Sequence, residues 1–91
     1  MLSTAECIKR AIDISKRYGV SRLVLFGSAL ENPETARDLD LACEGVNDWH
    51  FFKLAAELEE ELNMPVDLVP LEDSDFGRHI RKIGKVLYEQ A

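Results

Sequence analysis

Residues 23–43, LVLFGSALENPETARDLDLAC, decide how this chain folds. The stretch opens with a short apolar run, Leu23 to Phe26, which is bounded by turn-forming residues and is typical of a buried strand. Gly27 and Ser28 end that strand, and a polar loop follows. The stretch closes with a second predicted strand, so it indicates two strands joined by a polar connection.

The second strand is predicted to begin at Asp38 and alternates acidic with apolar side chains. Asp38 and Asp40 share one face, about 6.5–7 Å apart along the chain, because side chains two residues apart on a strand point the same way. Leu39 and Leu41 point the other way, into the predicted core. Two adjacent carboxylates repel each other unless a cation neutralises them, and their oxygens are suitable ligands for Mg²⁺. The pair therefore predicts a divalent-metal site.

Gly27 and Ser28 predict a phosphate site beside these aspartates. Glycine lets the backbone approach a ligand closely because it has no Cβ. If a short helical turn begins after Ser28, its free N–H groups and the Ser28 hydroxyl can hold phosphate oxygens. A phosphate-binding turn next to a divalent metal is a layout for nucleoside triphosphate chemistry.

Together these residues resemble a known family signature. Gly-Ser (residues 27–28), nine intervening residues and Asp-Leu-Asp-Leu (residues 38–41) after an apolar strand are similar to the motif of DNA polymerase β-like nucleotidyltransferases. Within that superfamily the chain resembles a minimal nucleotidyltransferase (MNT) domain. The family carries a third carboxylate on a later strand, and Asp67 in the segment PVDLV fits that place. The resemblance covers nearly the whole chain and implies an α+β nucleotidyltransferase fold, with helices packed on a small mixed sheet.

The resemblance also implies a role for each matching residue. Asp38, Asp40 and Asp67 would hold Mg²⁺ and carry the catalysis, in which an acceptor hydroxyl attacks the α-phosphate of ATP. Gly27 and Ser28 would seat the leaving phosphates. These roles come from the family; the residues by themselves predict a metal site and a phosphate site.

The chain departs from the family pattern directly after the Gly-Ser pair. Many minimal relatives have arginines there, whereas this chain has Ala29, Leu30 and Glu31. Arg37, directly before Asp38, is the predicted replacement for nucleotide binding, although adjacent strand positions face opposite ways.

A partner protein follows from the same resemblance. Such minimal domains operate with a separately encoded helical HEPN partner, commonly as toxin–antitoxin pairs, and some transfer AMP from ATP to a tyrosine of the HEPN ribonuclease. Two alternatives stay open: a catalytically degenerate domain that neutralises its partner by binding alone, and a nucleotidyl subunit acting on a small-molecule acceptor. The sequence also leaves a homo-oligomer open.

Length and composition favour one domain over residues 1–91. The chain is 46% hydrophobic and 31% charged, which is typical of a globular domain. Its net charge of −6 argues against direct binding to nucleic acid or to anionic membranes. A cytoplasmic location is expected, since no signal peptide or apolar run of membrane-spanning length is present. Cys7 and Cys43 lie in apolar patterns and are expected to be buried free thiols.

The remaining sequence predicts helices that alternate with short strands. Ser3 and Glu6 have the form of a capping box, which opens a helix that Gly19 ends. Strands are expected at 66–69 and 86–88.

Two further helices are expected, after Asp48 and after Asp73-Ser74. The first should bury a stripe of apolar residues at helical spacing, namely Phe51, Leu54, Ala55, Leu58 and Leu62. Trp49 and Phe52 are expected to pack in the core, with base stacking as the alternative. The second helix should bury an apolar face formed by Phe76, Ile80 and Ile83.

Overall fold

The computed structural model describes residues 2–46 and 48–90. Within these ranges the elements are α1 (Thr4–Arg17), β1 (Arg22–Phe26), α2 (Ser28–Glu31), β2 (Leu39–Glu44), α3 (Asp48–Leu62), β3 (Val66–Pro70), α4 (Asp75–Ile83) and β4 (Lys85–Glu89). The predicted order of long helices and strands is confirmed. The short helical turn on which the predicted phosphate site was conditional is present as α2, which begins at Ser28 itself. β2 begins at Leu39 rather than at Asp38, which lies in the bend that precedes the strand.

The strands form one mixed sheet in the order β3-β2-β1-β4. β1 pairs antiparallel with both β2 and β4, whereas β2 and β3 run parallel. Parallel neighbours need a crossover connection, which α3 supplies between β2 and β3. The result is the predicted α+β fold, a small mixed sheet packed with helices.

The two faces of this sheet are covered differently. On the first, termed the core face, α1 and α3 pack against buried strand residues, namely Leu23, Leu25, Leu39, Leu41, Cys43, Val66 and Leu68. On the second, termed the acidic face, α4 packs through Ile80 on Val24 and Ala42, with Leu71 in the same cluster. Because α4 is short, it covers only part of the acidic face.

Local signals set the ends of α1 as predicted. The Ser3 hydroxyl accepts a hydrogen bond from the Glu6 N–H at 3.1 Å, and the Ser3 N–H donates to the Glu6 carboxylate at 3.2 Å. The helix is followed by Gly19 with a φ of +81°, a backbone conformation that favours glycine. Cys7 and Cys43 are buried and free, also as predicted.

Core packing of Trp49 and Phe52 was the wrong expectation, because their side chains are 77% and 69% exposed. The buried side of α3 consists of Leu54, Leu58 and Leu62. At about 100° per residue, Trp49 lies on the opposite side of the helix from Leu58. The helical period therefore places this tryptophan in solvent, although its residue type favours burial.

The predicted apolar face of α4 is wrong at two of its three positions. Phe76 and Ile83 are 55% and 50% exposed, and the buried residues of the helix are Gly77 and Ile80. A Cβ on Gly77 would overlap the backbone of Glu72, so glycine at this position lets α4 lie close to that segment. In the part of the chain that the structure describes, no helix has the length and apolar character needed to cross a membrane.

Candidate active site

Two of the predicted site aspartates are neighbours across the β2–β3 pair. The parallel register sets Asp40 beside Asp67. Equivalent positions on paired strands share a face, so both side chains lie on the acidic face, beyond the part that α4 covers. Asp40 is half-buried and Asp67 is exposed. The sheet thus brings together two carboxylates that are distant in sequence and leaves them accessible.

Asp38 lies next to the Gly-Ser turn. The Ser28 hydroxyl donates a hydrogen bond to the Asp38 carboxylate at 3.1 Å, which links α2 to the residue that precedes β2. Because Asp38 and Asp40 are two positions apart, this bond also connects the turn to the beginning of the acidic face. The predicted phosphate and metal residues therefore lie at one end of the sheet.

Gly27 is in direct contact with Asp40. Its φ of +74° and ψ of −155° belong to a backbone region that is essentially restricted to glycine. A Cβ at this position would lie 2.9 Å from Cγ of Asp40 and closer still to one carboxylate oxygen. Glycine is thus required here both by backbone conformation and by the neighbouring carboxylate.

The three site carboxylates, Asp38, Asp40 and Asp67, repel one another. Burial raises the pKa of Asp40, and the charges of Asp38 and Asp67 raise it further. Among the described residues, none of these aspartates forms an ion pair with a basic side chain. A divalent cation would relieve this repulsion, and an all-oxygen donor set is the kind that Mg²⁺ prefers.

The carboxylates do not converge as a ligand cluster. Across residues 2–46 and 48–90, no group of three or more His, Cys, Asp or Glu side chains is arranged to hold a metal ion. The donor type and the strand positions fit Mg²⁺, whereas binding would require the side chains to rearrange. The metal assignment of Asp38, Asp40 and Asp67 stays a prediction.

Arg37 lines a different concavity from the aspartates. It contributes to a cleft near the amino-terminal end of α1 and the carboxyl-terminal end of α3, together with Arg10, Asn63 and Met64. None of the site aspartates lines that cleft. The role of Arg37 in nucleotide binding therefore stays a prediction.

Sequence reasoning missed the contact between Gly27 and Asp40 and missed the cleft. The Gly-Ser pair drew attention to Gly27 as a place for ligand approach, but its neighbour Asp40 is set by the β1–β2 pairing. The cleft joins α1, the loop before β2 and the segment before β3. No local pattern indicates which of these segments will meet.

Comparison with known proteins identifies the family and the fold. The family model described as "Polymerase beta, Nucleotidyltransferase" matches residues 9–91. No curated protein matches the chain.

Among solved structures, the chain is similar to one in a toxin–antitoxin complex with AMP-PNP, at 22% identity and a TM-score of 0.76, covering 91% of this chain and 73% of that one. It is also similar to a chain in a Shewanella oneidensis complex of a tri-AMPylated HEPN toxin with an MNT antitoxin, at 20% identity and a TM-score of 0.74, covering 96% of this chain and 73% of that one. Likeness at this identity shows a shared fold.

Proposed function

Because the chain belongs to the polymerase beta nucleotidyltransferase family, we propose that it is a Mg²⁺-dependent nucleotidyltransferase of the MNT antitoxin type. It transfers AMP from ATP to a hydroxyl of a HEPN-type helical partner protein. The shared fold with chains of toxin–antitoxin complexes, one of which holds AMP-PNP and another a tri-AMPylated HEPN toxin, supports this proposal.

One observation carries the proposal: the Gly-Ser turn and the aspartates meet at one end of the sheet. Asp40 and Asp67 are in register, Gly27 lies against Asp40, and Ser28 donates to Asp38. A phosphate-binding turn beside neighbouring carboxylates is what nucleotidyl transfer needs, because positioning and charge neutralisation supply most of its catalysis.

Asp38, Asp40 and Asp67 are the residues that would hold Mg²⁺. When bound there, the metal would supply positive charge against the phosphate oxygens of the triphosphate and of the transition state. Their unpaired negative charge among the described residues supports this assignment.

The turn would hold the leaving phosphates. The N–H groups of Leu30 and Glu31 donate to the Gly27 carbonyl at 3.1 and 3.2 Å, as the first hydrogen bonds of the helical turn. The N–H groups of Ser28 and Ala29 come before these donors and lie outside the helical ladder. These N–H groups are donors suited to phosphate oxygens. The Ser28 hydroxyl, which donates to Asp38 in this structure, would join them by exchanging that carboxylate for a phosphate oxygen.

Asp67 would act on the acceptor. Its exposed carboxylate can accept the proton of the incoming hydroxyl, whose oxygen then forms the new bond to the α-phosphorus. The bond from that phosphorus to the bridging oxygen breaks, and pyrophosphate leaves. An exposed base is suited to a protein acceptor, which must approach from outside the domain.

Neutralisation by binding alone is the second candidate. The first residues of α2 carry no guanidinium group, and Arg37 lines the separate cleft. In addition, within the described part of the chain the carboxylates form no ready metal cluster. These features favour a domain that has kept the nucleotidyltransferase fold, has lost the transferase activity and neutralises its partner by binding.

The deciding experiment incubates the protein with ATP radiolabelled at the α-phosphate, Mg²⁺ and the product of the neighbouring gene, which the proposal expects to be a HEPN-type protein. Label should move to the partner with the wild type and not with Asp38→Asn/Asp40→Asn. Asp13→Asn, an exposed aspartate on α1, is the matched control and should transfer label normally. Absence of transfer by the wild type would contradict the proposal, and neutralisation that survives loss of all three site aspartates would support binding alone.

A further inference from the structure

A cleft of about 750 Å³ lies between the first turns of α1, the loop before β2 and the carboxyl-terminal end of α3. Its volume is in the range of small-molecule sites, which is roughly 300–1,000 Å³. None of the site aspartates and neither residue of the Gly-Ser turn lines it. The cleft is therefore separate from the proposed nucleotide site.

Hydrogen bonds connect the walls of this cleft. The Thr4 hydroxyl donates to the Pro33 carbonyl at 2.7 Å, which joins the loop before β2 to α1. The Leu39 N–H donates to the Pro65 carbonyl at 3.0 Å, which joins the end of the same loop to the segment before β3. The cleft is thus a defined part of the fold.

Most of the lining is apolar. Leu2, Ala36, Leu62 and Met64 contribute hydrocarbon surface. Cys7, which is 3% exposed, also lines the cleft, and burial raises the pKa of its thiol, so it remains neutral near pH 7. This surface is suited to the apolar body of a ligand.

The charged groups of the lining are mainly basic. Arg10 and Arg37 both line the cleft, and neither side chain makes an ion pair or a hydrogen bond with any residue in the described ranges. Glu61 is the acidic residue of the lining. Two exposed guanidinium groups against one carboxylate give the cleft a local positive charge in a chain of net charge −6, and guanidinium groups attract anions.

We propose that this cleft binds a small amphipathic anion, in which a carboxylate, sulfonate or phosphate group contacts Arg10 and Arg37 while an apolar body lies on Leu62 and Met64. Guanidinium groups recognise such anions through paired N–H donors. Arg37 serves this ligand rather than ATP, because it lines the cleft and the aspartates do not.

The test uses 8-anilino-1-naphthalenesulfonate, an anion with an aromatic body that fluoresces on apolar surfaces. Titration of the wild type, without ATP or Mg²⁺, should give saturable one-to-one binding. Arg10→Gln/Arg37→Gln should weaken this binding at least about tenfold, because charge-assisted hydrogen bonds are lost. Arg17→Gln, an exposed arginine on α1 outside the cleft, is the matched control and should bind as the wild type does.

Competition experiments test whether the cleft prefers a negatively or a positively charged ligand. Octanoate should displace the dye at a concentration at least about tenfold lower than octylammonium, which has the same chain and the opposite charge. If octylammonium displaces it better, Glu61 determines the preference and the proposal is wrong. Mg²⁺-ATP should leave the signal unchanged, so this result is independent of nucleotidyl transfer.

Dye binding to the cleft must also be distinguished from dye binding to a second apolar surface. Trp49 and Phe52 form that surface, with Lys53 beside them. Dye binding that is lost in Trp49→Ala and retained in Arg10→Gln/Arg37→Gln would overturn the proposal. An Ala36→Phe variant, which fills the cleft from the loop, should exclude the dye, and circular dichroism should show that it remains folded. Unchanged dye affinity in that folded variant would also overturn the proposal.

Discussion

The two faces of the sheet use the same strands for different purposes. Leu41 on the core face is fully buried beneath α1 and α3, whereas its neighbour Asp40 on the acidic face lies half-buried beside Asp67. The alternation of a strand separates these environments by a single residue. A register shift of one position would exchange them, so the buried leucines also fix where the carboxylates lie.

The difference teaches that the larger hydrophobic cluster and the proposed chemistry lie on opposite faces, while the smaller cluster under α4 shares the acidic face with the aspartates. The core face gains from removing apolar side chains from water. The acidic face, by contrast, holds adjacent carboxylates that repel one another. Substitutions on the two faces should therefore change different measurements.

The largest expected effect is on transfer. Asp40→Asn should lower AMP transfer at least roughly a hundredfold, because a metal ligand contributes several kcal/mol to the transition state. The free energy of unfolding should be unchanged or slightly higher, since the variant removes a carboxylate whose pKa is raised by burial and by Asp38 and Asp67. Label transfer and urea denaturation measure the two quantities, and a large loss of stability would contradict the separation of the faces.

A substitution on the core face should instead lower the free energy of unfolding. Leu41→Ala should lower the free energy of unfolding by about 2–5 kcal/mol, because it leaves a cavity in a buried cluster. Ile83→Ala, at a side chain that is 50% exposed, is the control and should change it by only about 0.5 kcal/mol. Equal losses in urea denaturation would mean that the core does not lie where the structure has it.

Alkaline pH should lower the free energy of unfolding because the Cys43 thiol is buried. Burial raises the pKa of this thiol from 9.0 to about 11, so the folded state favours the neutral form. Its contribution to stability is complete below pH 9 and is lost as pH rises from 9 through 11, with a total of about 3 kcal/mol. Cys43→Ala should flatten this part of the stability profile, while Tyr88, whose pKa burial raises to about 12, leaves a loss above pH 10. A profile that is the same in both proteins would contradict the burial of Cys43.

The smallest effect compares two glycines with similar φ angles. Nothing lies within 4 Å of a Cβ built on Gly19, whereas one built on Gly27 overlaps Asp40. Gly19→Ala should cost roughly 1 kcal/mol of stability from left-handed backbone alone, and Gly27→Ala about 1 kcal/mol more. Thermal denaturation measures the difference. Equal shifts would mean that neither the backbone conformation of Gly27 nor its contact with Asp40 restricts the position to glycine.

Much of the fold could be predicted because its signals are local. The capping box at Ser3 and Glu6 and the alternation from Leu39 onward each depend on near neighbours in the sequence. Asp67 was placed by family resemblance, and the strand register now sets it beside Asp40. The single-domain assignment and the cytoplasmic location stay predictions.

The misses share a physical cause, which is that burial depends on what covers a surface. Trp49 and Phe76 are apolar, yet no described element of the chain covers them fully. The cleft that Arg37 lines could not be foreseen for the same reason, because α1 and α3 complete it. The type of a residue does not indicate whether other parts of the chain will pack over it.

The sequence by itself determined the order of helices and strands and the division of β2 into an apolar and an acidic side, because periodicity and capping act over a few residues. Only the tertiary structure decided that Asp67 lies beside Asp40, that Gly27 contacts Asp40, and that a cleft forms between α1, the loop before β2 and α3. These contacts join segments far apart in the chain, and strand pairing and helix packing create them only when the whole domain folds.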